Sequence, residues 1–167
     1  HKPSINKNSV KYVNQCLNEK YISTSGNFVT KFEDSIKKIT NSKYAIAVNS
    51  GSSALYLSLK LSNAKVGDEV IVQTLTFISP INAIKQNYMS PIFMDVDKNF
   101  NLDQEKVINF IETKTFFKNG KTINKKTKKI ISALVVVHIF GVPANFYKLY
   151  KLCKKRNIDI IEDAAES

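Results

Sequence analysis

Three stretches of this sequence combine residue types that can do chemistry at the edge of a sheet. Asn49-Ser50-Gly51-Ser52-Ser53-Ala54-Leu55 joins a strand-like segment to a helical one. Small residues there let the backbone approach a ligand. Free N–H groups at a helix start favour an anion, and Ser52 and Ser53 add hydroxyl donors. An ordinary serine N-cap has the same composition, so both readings stand. Neither the P-loop nor the dinucleotide-binding glycine fingerprint occurs.

The second stretch, Thr74-Leu75-Thr76-Phe77, sets an aromatic ring just beyond a strand, where it can wall a flat heterocycle or enter the core. The third is the apolar run Ile158 to Ile161 followed by Glu162 and Asp163. A carboxylate at a sheet's ligand edge is costly to bury without a cationic partner such as a protonated ring nitrogen; otherwise it is a solvated strand end. Side chains alternate along a strand, so only one of Glu162 and Asp163 can face a given site. His138, ending the run Ile130–Val137, is a fourth candidate and equally a structural group.

These stretches must be positioned by secondary structure. Helical spacing covers Ser9–Lys20, with Val10, Val13 and Leu17 on one face, and a second helix turns Phe28, Phe32, Ile36 and Ile39 inward. Strands are expected at Tyr44–Val48, Glu69–Gln73, Pro91–Met94, Ile130–Val137 and Ile158–Ile161. Between them, helices are expected from about Ser52, at Pro80–Gln86, Asp103–Ile111 and Phe146–Arg156. In the last helix Tyr147, Leu149 and Tyr150 are available for packing. Ile130–Val137 is β-branched enough for a central strand buried on both faces. Asn119-Gly120 between Phe116-Phe117 and Thr122-Ile123 reads as a hairpin turn. Strands alternating with helices mean an α/β fold with a mainly parallel sheet and ligands at the strands' carboxyl ends.

The 167 residues suffice for one substantial domain. The net charge of +11 raises the question of nucleic acid, but the lysines are dispersed and arginine is nearly absent, so a lysine-rich solvated surface is the expectation. The apolar runs are too short to cross a bilayer, no leader is recognisable, and the two cysteines lack metal-like spacing. A reduced, cytoplasmic setting follows, with no nucleic acid, membrane or metal as partner. The sequence begins at His1 and stops just past a strand, which reads as an N-terminal fragment.

Six segments in order, YISTSGNFVTKFE, AIAVNSGSSALYLSL, VGDEVIVQTLTFISPINAI, PIFMDVD, VVVHIFGVPAN and IIEDAAES, resemble the DegT/DnrJ/EryC1/StrS sugar aminotransferases. The resemblance implies the three-layer α/β large domain of fold type I pyridoxal-phosphate enzymes. Residues 1–27 would form an N-terminal arm and helix, and 28–167 an incomplete cofactor-binding domain. Gly51, Ser52 and Ser53 would hold the cofactor phosphate, Phe77 would stack on the pyridine, and Asp163 would pair with its nitrogen. His138 would support the cofactor. Glu166, where many relatives carry glutamine, would face the phenolic oxygen or the substrate amine. Thr24 and Ser25 would line the substrate end.

The Schiff-base lysine of such enzymes is expected C-terminal to Ser167, leaving no catalytic residue of that kind in this chain and the fragment alone inactive. The activity implied is amination at C4 of a nucleotide-linked 4-keto-6-deoxy sugar, with glutamate as donor, in a homodimer making surface-polysaccharide sugars. The segment FFKNGKTINKKTKKI and the ending EDAAES most resemble the UDP-linked N-acetylhexosamine transaminases of legionaminic acid-type synthesis. A GDP-perosamine synthase, a pyridoxal-phosphate sugar dehydratase and a non-catalytic α/β binding domain are the alternatives.

Overall fold

The computed structural model describes residues 2–167. They group into two compact units, one up to Val48 and one from Asn49 to Ser167. Residues 28–48 lie in the first of these units.

The first unit contains α1 (Lys7–Asn18) and α2 (Asn27–Thr40). Asn6 caps α1 by accepting the Ser9 N–H at 2.9 Å. Tyr12 meets Phe28 across the helices, with ring centroids 5.3 Å apart. The apolar face of α1, with Val10, Val13 and Leu17, is exposed, and of the residues expected inward on α2, Phe32 and Ile39 are exposed while Phe28 and Ile36 are half-buried; neither helix buries a residue. An apolar stripe is buried only where another layer covers it, and two helices supply little such cover for each other.

The expected strand Tyr44–Val48 is likewise corrected. The segment alternates, with Tyr44, Ile46 and Val48 exposed and Ala45 and Ala47 half-buried, yet it belongs to no ladder. Alternation specifies a pleat, but a strand also needs a neighbouring backbone to pair with. One tie is a side chain, as Glu33 accepts the Ala47 N–H at 2.9 Å.

The second unit is a three-layer α/β domain. Its helices are α3 (Gly51–Leu61), α4 (Ile78–Gln86), α5 (Gln104–Lys114) and α6 (Tyr147–Lys155). Its strands are β1 (Glu69–Gln73), β2 (Ser90–Met94), β3 (Thr115–Lys118), β4 (Lys121–Asn124), β5 (Ile130–Val137) and β6 (Asp159–Asp163). β1 lies parallel between β2 and β5. The other edge of β5 is shared, with β4 pairing antiparallel at its start and β6 parallel along the rest.

One apolar cluster packs Leu55 and Leu59 of α3 and Ala83 and Ile84 of α4 on the sheet's first face. Another packs Val107 and Ile111 of α5 and Leu149 and Cys153 of α6 on the second. β5 lies between the two layers, with Ala133, Leu134, Val135 and Val136 fully buried. Burial of each of the Leu and Val side chains contributes about 1.5–3 kcal/mol. A bulge between Glu69 and Val70 skips Ser132, so Ile131 and Leu134 both reach the α5/α6 side despite their odd spacing.

Asn119 (φ 51°) and Gly120 (φ 71°) form the hairpin turn, as the Asn-Gly pair requires. In α6 only Leu149, of the three residues expected to pack, is buried; Tyr147 and Tyr150 are exposed. They stand on the solvent flank, where Lys151 lies 4.4 Å from the Tyr147 ring centroid. Among the described residues, no helix is long and apolar enough to cross a membrane.

Candidate active site

A cavity of about 530 Å³ opens at the carboxyl ends of β1, β5 and β6 and the N-termini of α3 and α4. That is the size of a small-molecule site, at the edge where parallel sheets bind ligands. Ser52, Phe77, His138, Asp163 and Glu166 border it together, with Gly51 at the helix start.

The anion-favouring end is the first turn of α3. Its cap is Ser50, which accepts the Ser53 N–H at 3.2 Å and pairs with the Ser53 hydroxyl at 3.0 Å. Ser53 therefore serves the cap and does not border the cavity, unlike its neighbour. Ser52 Oγ instead lies 2.9 Å from Ser79 Oγ, at the start of α4. Gly51 and Ser52 N–H groups lie in the first turn, where a helix has no internal acceptor to offer. Thr76, also bordering the cavity, has a hydroxyl oxygen out of solvent and without a partner.

Phe77 precedes α4 and is 74% exposed as a residue, so it is a wall of the cavity and not core. Of the strand-end pair, Asp163 faces the cavity and Glu162 turns away toward His138. His138, only 6% exposed, has Nε2 3.1 Å from the Glu162 carboxylate, while Nδ1 accepts the Ala144 N–H at 3.0 Å. An Nδ1 that accepts leaves the proton on Nε2. Glu166 accepts the Phe140 N–H at 2.8 Å.

Residues that sequence reasoning missed hold the strand ends in place. Gln73, fully buried, accepts the Val137 N–H at 3.1 Å and donates to the Leu75 carbonyl at 2.9 Å, locking β1 to β5. Ser79 and Phe140 also border the cavity. Ser79 was legible as a small hydroxyl residue two after Phe77; Gln73 and Phe140 carried no such signal. Thr24 and Ser25 are exposed residues of the first unit, between α1 and α2.

Residues 3–167 match the DegT/DnrJ/EryC1/StrS aminotransferase family. A GDP-perosamine synthase from Escherichia coli O157:H7 is 38% identical over 167 residues, covering all of this chain and 42% of that protein. The chain thus spans about two fifths of such a relative. Among solved structures, an aminotransferase from Psychrobacter cryohalolentis is 28% identical with a TM-score of 0.80, covering 99% of this chain and 38% of that one. A GDP-4-keto-6-deoxymannose-3-dehydratase with a trapped PLP-glutamate geminal diamine is 26% identical with a TM-score of 0.79, covering 99% and 40%.

Proposed function

Because the chain belongs to the DegT/DnrJ/EryC1/StrS aminotransferase family, we propose that its full gene product is a pyridoxal-phosphate enzyme that aminates a nucleotide-linked 4-keto-6-deoxy sugar at C4. The observation that carries this reading is the cavity itself, which sets a phosphate-accepting helix start, an exposed ring and a carboxylate around one space.

The residues present fit that cofactor. The Ser52–Ser79 hydroxyl pair, the first-turn amides of α3 and the unpartnered Thr76 hydroxyl suit its phosphate. Phe77 offers a face to its ring. The Asp163 carboxylate would hold a proton at the ring nitrogen, while Gln73 ties β1 to β5 and His138 ties the end of β5 to β6. Bound there, pyridoxal phosphate supplies an electron sink and a carrier for nitrogen. The chain's own work is to bind it, fix its orientation and keep the ring nitrogen protonated.

The donor reading is glutamate, supported by the PLP-glutamate adduct named for the dehydratase relative. For the nucleotide, the similarity to a GDP-perosamine synthase favours a GDP-linked substrate over the UDP-linked N-acetylhexosamine that the hairpin segment suggests. The product would be an amino sugar for surface polysaccharide, made by a homodimer in the cytoplasm, with Thr24 and Ser25 on the substrate side. The test is to purify the full gene product, look for a pyridoxal absorption band, and supply ¹⁵N-glutamate with each keto sugar nucleotide. Label at sugar C4 is the expected result. Loss of a sugar hydroxyl without retained nitrogen would favour the second reading, a dehydratase, to which the 26% relative points. No band and no product would leave the α/β binding domain.

A further inference from the structure

The loop after β5 contains a constraint that the cofactor roles leave unused. Phe140 sits at φ 54° and ψ 28°, the left-handed region that a bulky residue rarely enters. Its surroundings hold it there. Glu166 Oε2 accepts the Phe140 N–H at 2.8 Å. Asn101, 2% exposed, accepts the Ile139 N–H at 3.1 Å and donates to the Val142 carbonyl at 3.0 Å, gripping the loop on both sides. Gly141 (φ +74°) lies so close to Glu166 that a Cβ would stand 2.7 Å from the Glu166 carbonyl oxygen.

All this fixes a residue that is 72% exposed and borders the cavity, its ring meeting Phe100 edge-on at 6.3 Å. An apolar ring gains nothing from standing in water, so a strained backbone that keeps it there serves what enters the cavity. Phe77 directly precedes α4, whose Ser79 bonds Ser52, so that ring belongs to the anion-binding end. Phe140 stands on a different strand-end loop and is left for the second ligand.

We propose that Phe140 is a specificity residue whose ring packs on the apolar C–H face of the deoxy-sugar, with Glu166 and Asn101 as its positioning residues. This rests on the sugar-aminotransferase reading above. A pyranose presents a C–H face that complements an aromatic ring, and a 6-deoxy sugar adds a methyl group. A charged amino-acid donor is not what an exposed phenyl selects. Glu166 then acts as an acceptor for a backbone N–H, a task a glutamine carbonyl does equally well.

The test uses the cofactor-loaded full gene product, with calorimetric titration of the amino-sugar nucleotide and steady-state kinetics on the keto form. Phe140→Asn keeps a residue type that tolerates the left-handed region while removing the ring. It should unfold no more easily than wild type, yet show Kd and KM for the sugar nucleotide raised about ten-fold, with kcat moved far less and KM for glutamate unaltered. Phe140→Tyr should retain wild-type affinity. Glu166→Ala should weaken sugar binding and Glu166→Gln restore it. Wild-type affinity in Phe140→Asn, or a Glu166→Gln variant as impaired as Glu166→Ala, would overturn the proposal alone. A wild-type protein with no pyridoxal band would overturn the aminotransferase reading, and this proposal with it.

Discussion

His138 and Glu162 face each other across the β5–β6 ladder, with Nε2 3.1 Å from a carboxylate oxygen, while the other ring nitrogen accepts the Ala144 N–H at 3.0 Å. The imidazole therefore ties β6 and the loop leading to α6 to the end of β5. The His138 backbone N–H also donates to the Asp163 carbonyl at 3.1 Å. Glu162, although turned from the cavity, thus meets the same histidine whose backbone pairs with Asp163.

That arrangement predicts one tautomer and a stability cost. A two-bond ¹H–¹⁵N spectrum of the native protein should show Nε2 protonated and Nδ1 bare. His138→Ala leaves the Ala144 N–H without its acceptor and opens a void, so denaturant unfolding should record a loss of about 2–4 kcal/mol. A loss under about 0.5 kcal/mol would mean that the ring is dispensable to the loop.

Asp163→Asn tests the ring-nitrogen partner. The amide can still accept the Ala165 N–H that Asp163 accepts at 3.3 Å, so the fold should persist. Without the charge the ring nitrogen is no longer kept protonated, and single-turnover amination in the full gene product should slow by about 10²–10³. Near-normal turnover would remove Asp163 from the cofactor.

Gly141→Ala probes the loop that presents Phe140. Both the positive φ and the 2.7 Å approach to the Glu166 carbonyl exclude a Cβ without movement. A stability loss of about 1–3 kcal/mol is expected, together with weaker sugar-nucleotide binding. A variant as stable and as tight-binding as wild type would show that the loop is free to move.

Cys153 supplies a pH test in the α5/α6 layer. Burial pushes its thiol from 9.0 up to about 12. Below about pH 9 the thiol is protonated in both folded and unfolded chains, and its contribution is fully present. Between about 9 and 12 the unfolded chain ionises and the folded one does not, so stability falls as pH rises. Urea titrations at about pH 8 and about pH 10 should show a larger drop for wild type than for Cys153→Ala, which has no thiol to ionise. Equal drops would mean that the thiol ionises as readily in the folded protein.

The sequence was enough for the elements of the second unit, because β-branched runs, helical spacing and an Asn-Gly turn are local preferences that the sheet then agrees with. It also singled out Ser52, Phe77 and Asp163 as unusual types next to apolar runs, and the fold brings these three to one cavity. Which of two neighbours borders the cavity was settled by folding. Ser53 bonds Ser50 and Glu162 bonds His138, leaving Ser52 and Asp163 free to face it. The Tyr44–Val48 run and the stripes of α1 and α2 mark the limit, because periodicity states which face is apolar but not what covers it. Gln73, Asn101 and Phe140 were silent for a related reason. Each acts through contacts 26 to 64 residues away in the chain, and no local pattern records a partner brought close only by folding.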